Sequence, residues 1–508
     1  MRIRRTALYT ALLTTMTFNV SATWFEDIDS SHLRSAIQVE NIVEHLVDFQ
    51  EIADENDGNR ASGLPGFDLS ANYVRDELFD AGYQVSVQPF EFPYFQELSE
   101  PELEQISPNY IIYPARDPDG FYTMLYSGSS DVIAAVEPVD LVIPPGEEPN
   151  TSTSGCEPED FDNFVPGSIA LIQRGTCTFA TKAINAENAG AAGVVIFNEG
   201  QEGRTDAILG TLGEPVVEIP VVGAAYAIGE ELYLASLSNV VTVHMYVDAM
   251  TEIRSTFNII AETVQGRDDR VVVIGAHLDS VPEGPGINDN GSGVATILEI
   301  ALQMAELEVV PVNKVRFAFW GAEEVGLLGS QYYVDNLSVR ERNDIALNLN
   351  FDMIGSPNYV RFVYDGDGSD TELEGPKGSE NIEQVFLNYF EEQDLPVEPT
   401  PFDGRSDYGP FIDVGIPAGG LFTGADGIKT EEEADVYGGT AGEPYDPYYH
   451  TPTDDLNNIN TDALDQMSDA AAHAVFYYAK TYSFDKETGA SYDGERETVL
   501  WRGSRLQK

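Results

Sequence analysis

The chain has 508 residues, 42% of them hydrophobic, which is long enough for two folded domains and apolar enough to fill their cores. Its 27 Lys and Arg stand against 86 Asp and Glu, and a formal net charge of −59 argues against nucleic acid or an anionic membrane as a partner. The acids are scattered through every segment, as on a solvated surface, and point to a saline extracellular setting, because the Debye length falls to roughly 3 Å at molar salt.

The first residues, MRIRRTALYTALLTTMTFNVSA, place arginines ahead of a short apolar stretch and end on Val20-Ser21-Ala22. That is the pattern of a secretory signal over 1–22, cut after Ala22. No later run is apolar and long enough to span a bilayer, so no stable membrane insertion is expected. An exported chain meets an oxidising compartment, and its two cysteines, Cys156 and Cys177, are expected to be bonded rather than two unrelated thiols. Apolar spacing predicts a helix from Ile37 to Glu55 and another from about Ser70 to Asp80, with a strand after Gly82. These belong to a first segment, 23–126, of α/β character.

From 127 to 247 the texture changes to short β-branched strands broken by Pro and Gly, with a single helix at FATKAINAENAGAAG. No His/Asp/Glu cluster of metal-ligand type occurs there, so this part reads as a binding or lid module. From 248 to 485 strands alternate with helices: strands at Val271–Ala276, Val315–Trp320, Leu347–Phe351 and Ala418–Phe422, helices at Val294–Leu307, Leu328–Leu337, Ile382–Gln393 and Asp462–Tyr482. The alternation predicts an α/β fold, a mostly parallel sheet covered by helices on both faces, with ligands at the carboxyl ends of the strands. The last residues, 486–508, carry Arg502, Arg505 and Lys508 and read as a loose tail.

The chemistry concentrates at those strand ends. VVVIGAHLDS and GINDNGSG put His277, Asp279 and Asp289 just beyond an apolar run, and FAFWGAEE, LNLNFDMIG and DPYYHTPTDD add Glu323, Glu324, Asp352, Tyr449 and His450. Two adjacent carboxylates at the end of a buried strand are costly without cations. Two histidines with Asp289, Glu324 and Asp352 are too many ligands for one open catalytic zinc, but they suit two if one carboxylate bridges. Asp289, on its tight Gly/Asn-rich loop, is best placed to bridge. Because side chains alternate in an extended segment, Glu324 is expected to bind metal while Glu323 faces the shared water as general base. Asp279 is expected to hold the second nitrogen of His277, and the Tyr449 phenol to meet an oxyanion. The other histidines, His32, His45, His244 and His473, sit in ordinary helical or strand patterns and read as structural or surface residues.

In order, GAHLDS, INDNGSGVA, WGAEEVGLLGS, NFDMIGSPN, GRSDYGPF, GGLFTGA and YYHTPTD resemble the aminopeptidase Y family of two-zinc exopeptidases, which includes secreted bacterial leucine aminopeptidases. GSIALIQRGTCTF and AENAGAAGVVIFNE resemble a protease-associated (PA) domain inserted in the peptidase, in which the pair matching Cys156 and Cys177 is often bridged. The resemblance implies that His277 and Asp352 bind one zinc, Glu324 and His450 a second, and Asp289 both. It makes Glu323 the general base, Asp279 the residue that orients His277, and Tyr449 the group that assists the tetrahedral intermediate. Arg405 and Phe422 match substrate-contacting positions, the second in an apolar side-chain pocket. The substrate implied is a peptide with a free N-terminus, and the PA module is expected to bind substrate or another protein.

Three other readings compete. A carboxypeptidase or dipeptidase shares the metal motif and the insertion, as in glutamate carboxypeptidase, but Arg405 is a lone basic residue and no basic cluster suits an acidic substrate terminus. A catalytically dead binding protein, as in the transferrin receptor, requires lost ligands, whereas all five positions are filled. A single-zinc glutaminyl cyclase is disfavoured by the complete two-metal set.

Overall fold

The computed structural model describes residues 28–201, 203–371 and 373–482. The signal expected at 1–22 and the tail expected at 486–508 lie outside them. The β-branched run VVVIGAH forms the inner part of the strand Arg267–His277, and its positions from Val271 onward are all buried. Continuous burial is what a parallel strand covered on both faces requires. It pairs in parallel with Asn313–Trp320 on one side and Ile345–Phe351 on the other, and the latter pairs in parallel with Ala418–Phe422. Around this parallel centre the sheet grows to eight strands. Ala249–Glu262 and Gln84–Glu97 add antiparallel neighbours at one side; Phe362–Tyr364, antiparallel to Ala418–Phe422, and Glu398–Thr400 complete the other.

One face is covered by the helices Val39–Asp54, Pro65–Asp80, Gly293–Glu306, Ser379–Glu392 and Thr461–Lys480. Leu46, Val74, Ile297, Phe386 and Met467 meet Val272 and Ile274 in a single core. In Thr461–Lys480 the buried residues Leu464, Met467, Ala471 and Val475 recur at helical spacing, and each large one contributes roughly 1.5–3 kcal/mol by leaving water. The opposite face is closed by Leu328–Asp335 and Gly409–Asp413, through Tyr333 and Phe411 packed near Val273 and Trp320. The α/β expectation, with helices on both faces, is met.

Two boundaries differ from expectation for local reasons. The helix expected from Ile37 is preceded by a separate turn, Ser31–Arg34, and begins at Val39 because Gln38 is extended at φ −114°, ψ 129°. The next begins at Pro65 rather than Ser70, with proline in its first turn, where its missing N–H costs nothing.

A second eight-stranded sheet has the order Ile111–Tyr113, Glu102–Ser107, Thr242–Val247, Ser130–Val139, Ile169–Gln173, Gly193–Phe197, Val221–Ala224, Phe121–Thr123. Its parallel centre, from Ser130–Val139 to Val221–Ala224, is flanked by two helices, Phe179–Asn188 and Tyr226–Ser236, where the sequence predicts one. The missed helix is apolar around most of its circumference and contains Gly229, so its periodicity is faint. Pairing into this sheet starts at Glu102, ahead of the change in texture at 127, because Leu103 and Gln105 face inward between exposed or half-buried neighbours. The 14-residue strands Gln84–Glu97 and Ala249–Glu262 pair along their full length and lead from one sheet to the other. Cys156 and Cys177 are bonded, with a Cα–Cα separation of 5.8 Å.

Candidate active site

Four chain segments leave the first sheet at its carboxyl edge and bring the predicted residues together. The strand Arg267–His277 ends on His277, which is 1% exposed. His277 Nδ1 lies 3.1 Å from the backbone oxygen of Asp279. A carbonyl only accepts, so Nδ1 carries a proton and Nε2 is the nitrogen that faces the carboxylates. There it lies 3.1 Å from Asp289 Oδ1 and 3.2 Å from Asp352 Oδ1. His450 Nε2 lies 3.1 Å from the other oxygen of Asp289, Oδ2, and 3.0 Å from Glu324 Oε2. Asp289 thus presents one oxygen to each histidine.

Glu323 and Glu324 diverge, but not by strand alternation. The chain turns after Trp320, with Ala322 at φ 55°, and this turn sends Glu323 to within 4.0 Å of His277 and Glu324 to His450. Met353, next to Asp352, and His450 itself also have left-handed backbones, at φ 53° and 57°. Such strain gathers where surrounding structure holds a functional geometry. The Asp279 carboxylate stands 3.8 Å from His277 Nδ1 and accepts the Glu323 N–H at 3.2 Å. Its backbone oxygen orients the imidazole more closely than its side chain does, because the side chain is drawn to the acid-bearing turn.

Several residues around this cluster escaped the sequence reading. Asn290 on the bridging loop donates to Phe351 O and accepts from Met353 N, while Asn288 accepts from Gly355 N, so the two asparagines flanking Asp289 staple its loop to the segment bearing Asp352. Asp454 accepts the N–H groups of Asn288 and Asp289 at 2.8 and 3.0 Å, tying the His450 loop to the same place. Ser406 Oγ donates to Asp352 Oδ2 at 2.6 Å. Asp407, beside it, is fully buried. The N-D-N pattern was a readable signal for the staples; Asp407 and Asp454 lie inside GRSDYGPF and YYHTPTD, but nothing in those motifs says which groups their carboxylates meet.

The electrostatics are those of crowded carboxylates. Burial, then the Asp289 charge, pushes Glu324 up to about 7, and burial with the charges of Asp407, Glu324 and Asp352 holds Glu323 well above the usual carboxylate range. Burial raises Asp279 to about 6. For His277 burial alone would lower the pKa, but the charges of Asp352 and Glu323 hold it well above its ordinary value. Asp289 would be raised by burial, yet its bonds to His277 and His450 keep it below the usual range. A proton on either Nε2 serves one carboxylate at a time, whereas a divalent cation serves all the converging lone pairs at once and relieves their repulsion. Two such groups form here, His277 with Glu323 and Asp352, and His277 with Asp289 and Glu324, which fit hard-to-borderline cations with nitrogen and oxygen ligands.

A cleft opens over the cluster, lined by His277, Asp289, Glu323, Glu324, Asp352 and Tyr449. Tyr449 stacks on His450 with ring centroids 3.8 Å apart, and burial with the Asp289 charge holds its phenol well above its usual pKa, so it remains a donor at neutral pH. Arg405 lines the mouth, bonded to Asp426 at 2.9 Å and to the Tyr449 hydroxyl at 3.3 Å. Phe422 ends its strand in the cleft wall, stacked on Phe362, with Met353, Tyr364, Pro401 and Ala425 nearby.

Residues 258–475 match the model of Peptidase family M28, and residues 138–232 match that of the PA domain. Over 468 residues the chain is 49% identical to an aminopeptidase of Pseudomonas aeruginosa, an alignment that takes in 90% of this chain and 84% of that one. The structure is similar to an aminopeptidase from Aneurinibacillus sp. strain AM-1 (TM-score 0.70, 27% identity, 89% of this chain and 96% of that one). It is also similar to BSAP, a zinc aminopeptidase from Bacillus subtilis (TM-score 0.59, 26% identity, 89% and 96%). The chain belongs to peptidase family M28, as an aminopeptidase that carries an inserted PA domain.

Proposed function

We propose that the protein is a secreted two-zinc aminopeptidase that removes an apolar residue from the N-terminus of peptides. The observation that carries this reading is Asp289, whose two oxygens face different histidines at 3.1 Å each. His277 and Asp352 would hold one ion, Glu324 and His450 the other, and Asp289 both. Bound there, zinc would lower the pKa of water toward about 7 and polarise the scissile carbonyl.

The chain's own groups account for the rest. Glu323 takes the proton of the attacking water and returns it to the leaving amine. Tyr449 donates to the developing oxyanion. Glu323 and Asp352 receive the substrate's free α-ammonium, which confines cleavage to the first residue. Arg405 in the cleft lining is already paired with Asp426, so it is not a free anchor for a substrate carboxylate. Phe422, Met353, Tyr364 and Pro401 give the side-chain pocket its apolar wall.

Secretion is supported by the signal-type N-terminus and by the bonded cysteines, and no described helix is long and apolar enough to cross a membrane. The net charge of −59 fits a saline medium; a protein most stable in dilute buffer contradicts that part. Metal analysis with a pair of substrates tests the whole. The reading expects two zinc ions per chain and hydrolysis of a leucyl anilide but not of its N-acetylated form; the opposite preference overturns it.

A further inference from the structure

Arg60 is fully buried and lies outside the catalytic scheme above. Its guanidinium donates from Nε to Pro285 O at 2.8 Å, from Nη1 to Leu278 O at 2.5 Å and from Nη2 to Gly286 O at 2.6 Å. It lies over the Phe49 ring, 5.1 Å from the centroid. The backbone N–H of the same residue donates to Ser280 Oγ at 2.9 Å. Leu278 sits between His277 and Asp279, and Pro285 and Gly286 lead directly into the loop that carries Asp289. The fork therefore grips the chain on both sides of the turn that separates the two residues.

The cost of this arrangement shows that it is specific. A cation taken out of water is expensive, and here it is spent on three backbone carbonyls. Its pKa falls to about 10 through burial, opposed by the charges of Asp454, Asp279, Asp289 and Glu324, so it stays charged at neutral pH. The loop is closed tightly around it: Gly286 is left-handed at φ 62°, and a Cβ there would lie 2.5 Å from the Ser280 Cβ and 3.3 Å from Arg60 Nη2. A planar fork fixes three acceptors relative to one another, which a flexible ammonium does not do.

We propose that Arg60 is a positioning residue that sets the spacing between His277 and Asp289, so that the site is shaped for two cations before either binds. The proposal rests on the two-zinc reading, so the wild type is measured first: a protein that takes up no zinc and spares leucyl anilide defeats that reading, not this one alone. Arg60→Lys keeps the charge and removes the fork. In a wild type that passes, the metal-free variant is expected to bind zinc about 10- to 100-fold more weakly by chelator competition. Its kcat should fall about tenfold or more with KM within about twofold, because the apolar cleft is untouched. Zinc affinity and kcat within about twofold of wild type in the folded variant overturn the proposal.

A general loosening is separated by Leu464→Ala, a core change in the last helix. It should lower the unfolding temperature and leave zinc affinity within about twofold; an equal loss of affinity there overturns the proposal too. Should Arg60→Lys fail to fold, Phe49→Leu removes the ring beneath the guanidinium and so loosens the seat that holds its three bonds in register. About a threefold or larger loss of zinc affinity is then expected, and an unchanged affinity is contradictory.

Discussion

The two sheets of this molecule share one local architecture and differ in what their strand ends carry. In the first, Arg267–His277, Asn313–Trp320 and Ile345–Phe351 run parallel and lead into His277, Glu323 and Asp352. In the second, Ile169–Gln173, Gly193–Phe197 and Val221–Ala224 are as fully buried and as parallel, yet among the described residues no group of metal-ligating side chains gathers at their ends. Parallel strands between helices supply a crevice, and only the residues placed in it decide whether chemistry happens there. At the ends of the second sheet's strands stand the buried Gln173, Asn198 and Glu199 instead, with Glu199 paired to Arg204 at 2.8 Å.

The largest expected effect lies at the chemical sheet. Glu323→Gln should lower kcat by about 10³-fold while zinc content stays at the wild-type level, since the residue moves a proton and holds no ion in this account. Zinc lost in parallel would make it a ligand. The reciprocal change is in the inserted module: Cys156→Ser with Cys177→Ser should lower stability by about 3 kcal/mol, from a cross-link spanning 21 residues, and leave kcat on leucyl anilide within about twofold. A large loss of kcat there would break the separation of roles between the two sheets.

Smaller effects sharpen it. Tyr449→Phe should reduce kcat about 10- to 100-fold with little change in KM, because its hydroxyl acts on the oxyanion alongside other stabilising groups. His473, half-buried between Ser30 and Tyr389, has its pKa lowered by desolvation to about 4. The unfolded chain binds the proton first, so this residue's contribution to stability is present above pH 6.5 and fades as the pH falls toward 4, by at most about 3 kcal/mol. His473→Gln should flatten that part of the pH–stability curve, and an unchanged slope would show that the imidazole is not desolvated.

The strand ends were legible because an apolar run followed closely by His or acid is a strong local pattern, as in VVVIGAH and FAFWGAEE. The central strands were readable as largely apolar runs, and the last helix from its single clear helical period. What escaped was defined by partners distant in the chain. Asp454 is one acid among 86 until its carboxylate meets the N–H groups of Asn288 and Asp289. Arg60 is one more basic residue in a loop until the carbonyls of Leu278, Pro285 and Gly286 converge on it. The divergence of Glu323 and Glu324 was expected from the pleat but comes from a turn at Ala322, since alternation holds only while the chain remains a strand.

The central claim is that Asp289 joins two ions at the edge of the first sheet. Anomalous scattering at the zinc edge from crystals of the zinc-loaded protein tests it most directly. Two peaks about 3.5–4 Å apart are expected, one beside His277 and Asp352, the other beside Glu324 and His450, with Asp289 between them. A single peak, or two that do not share Asp289, would contradict it.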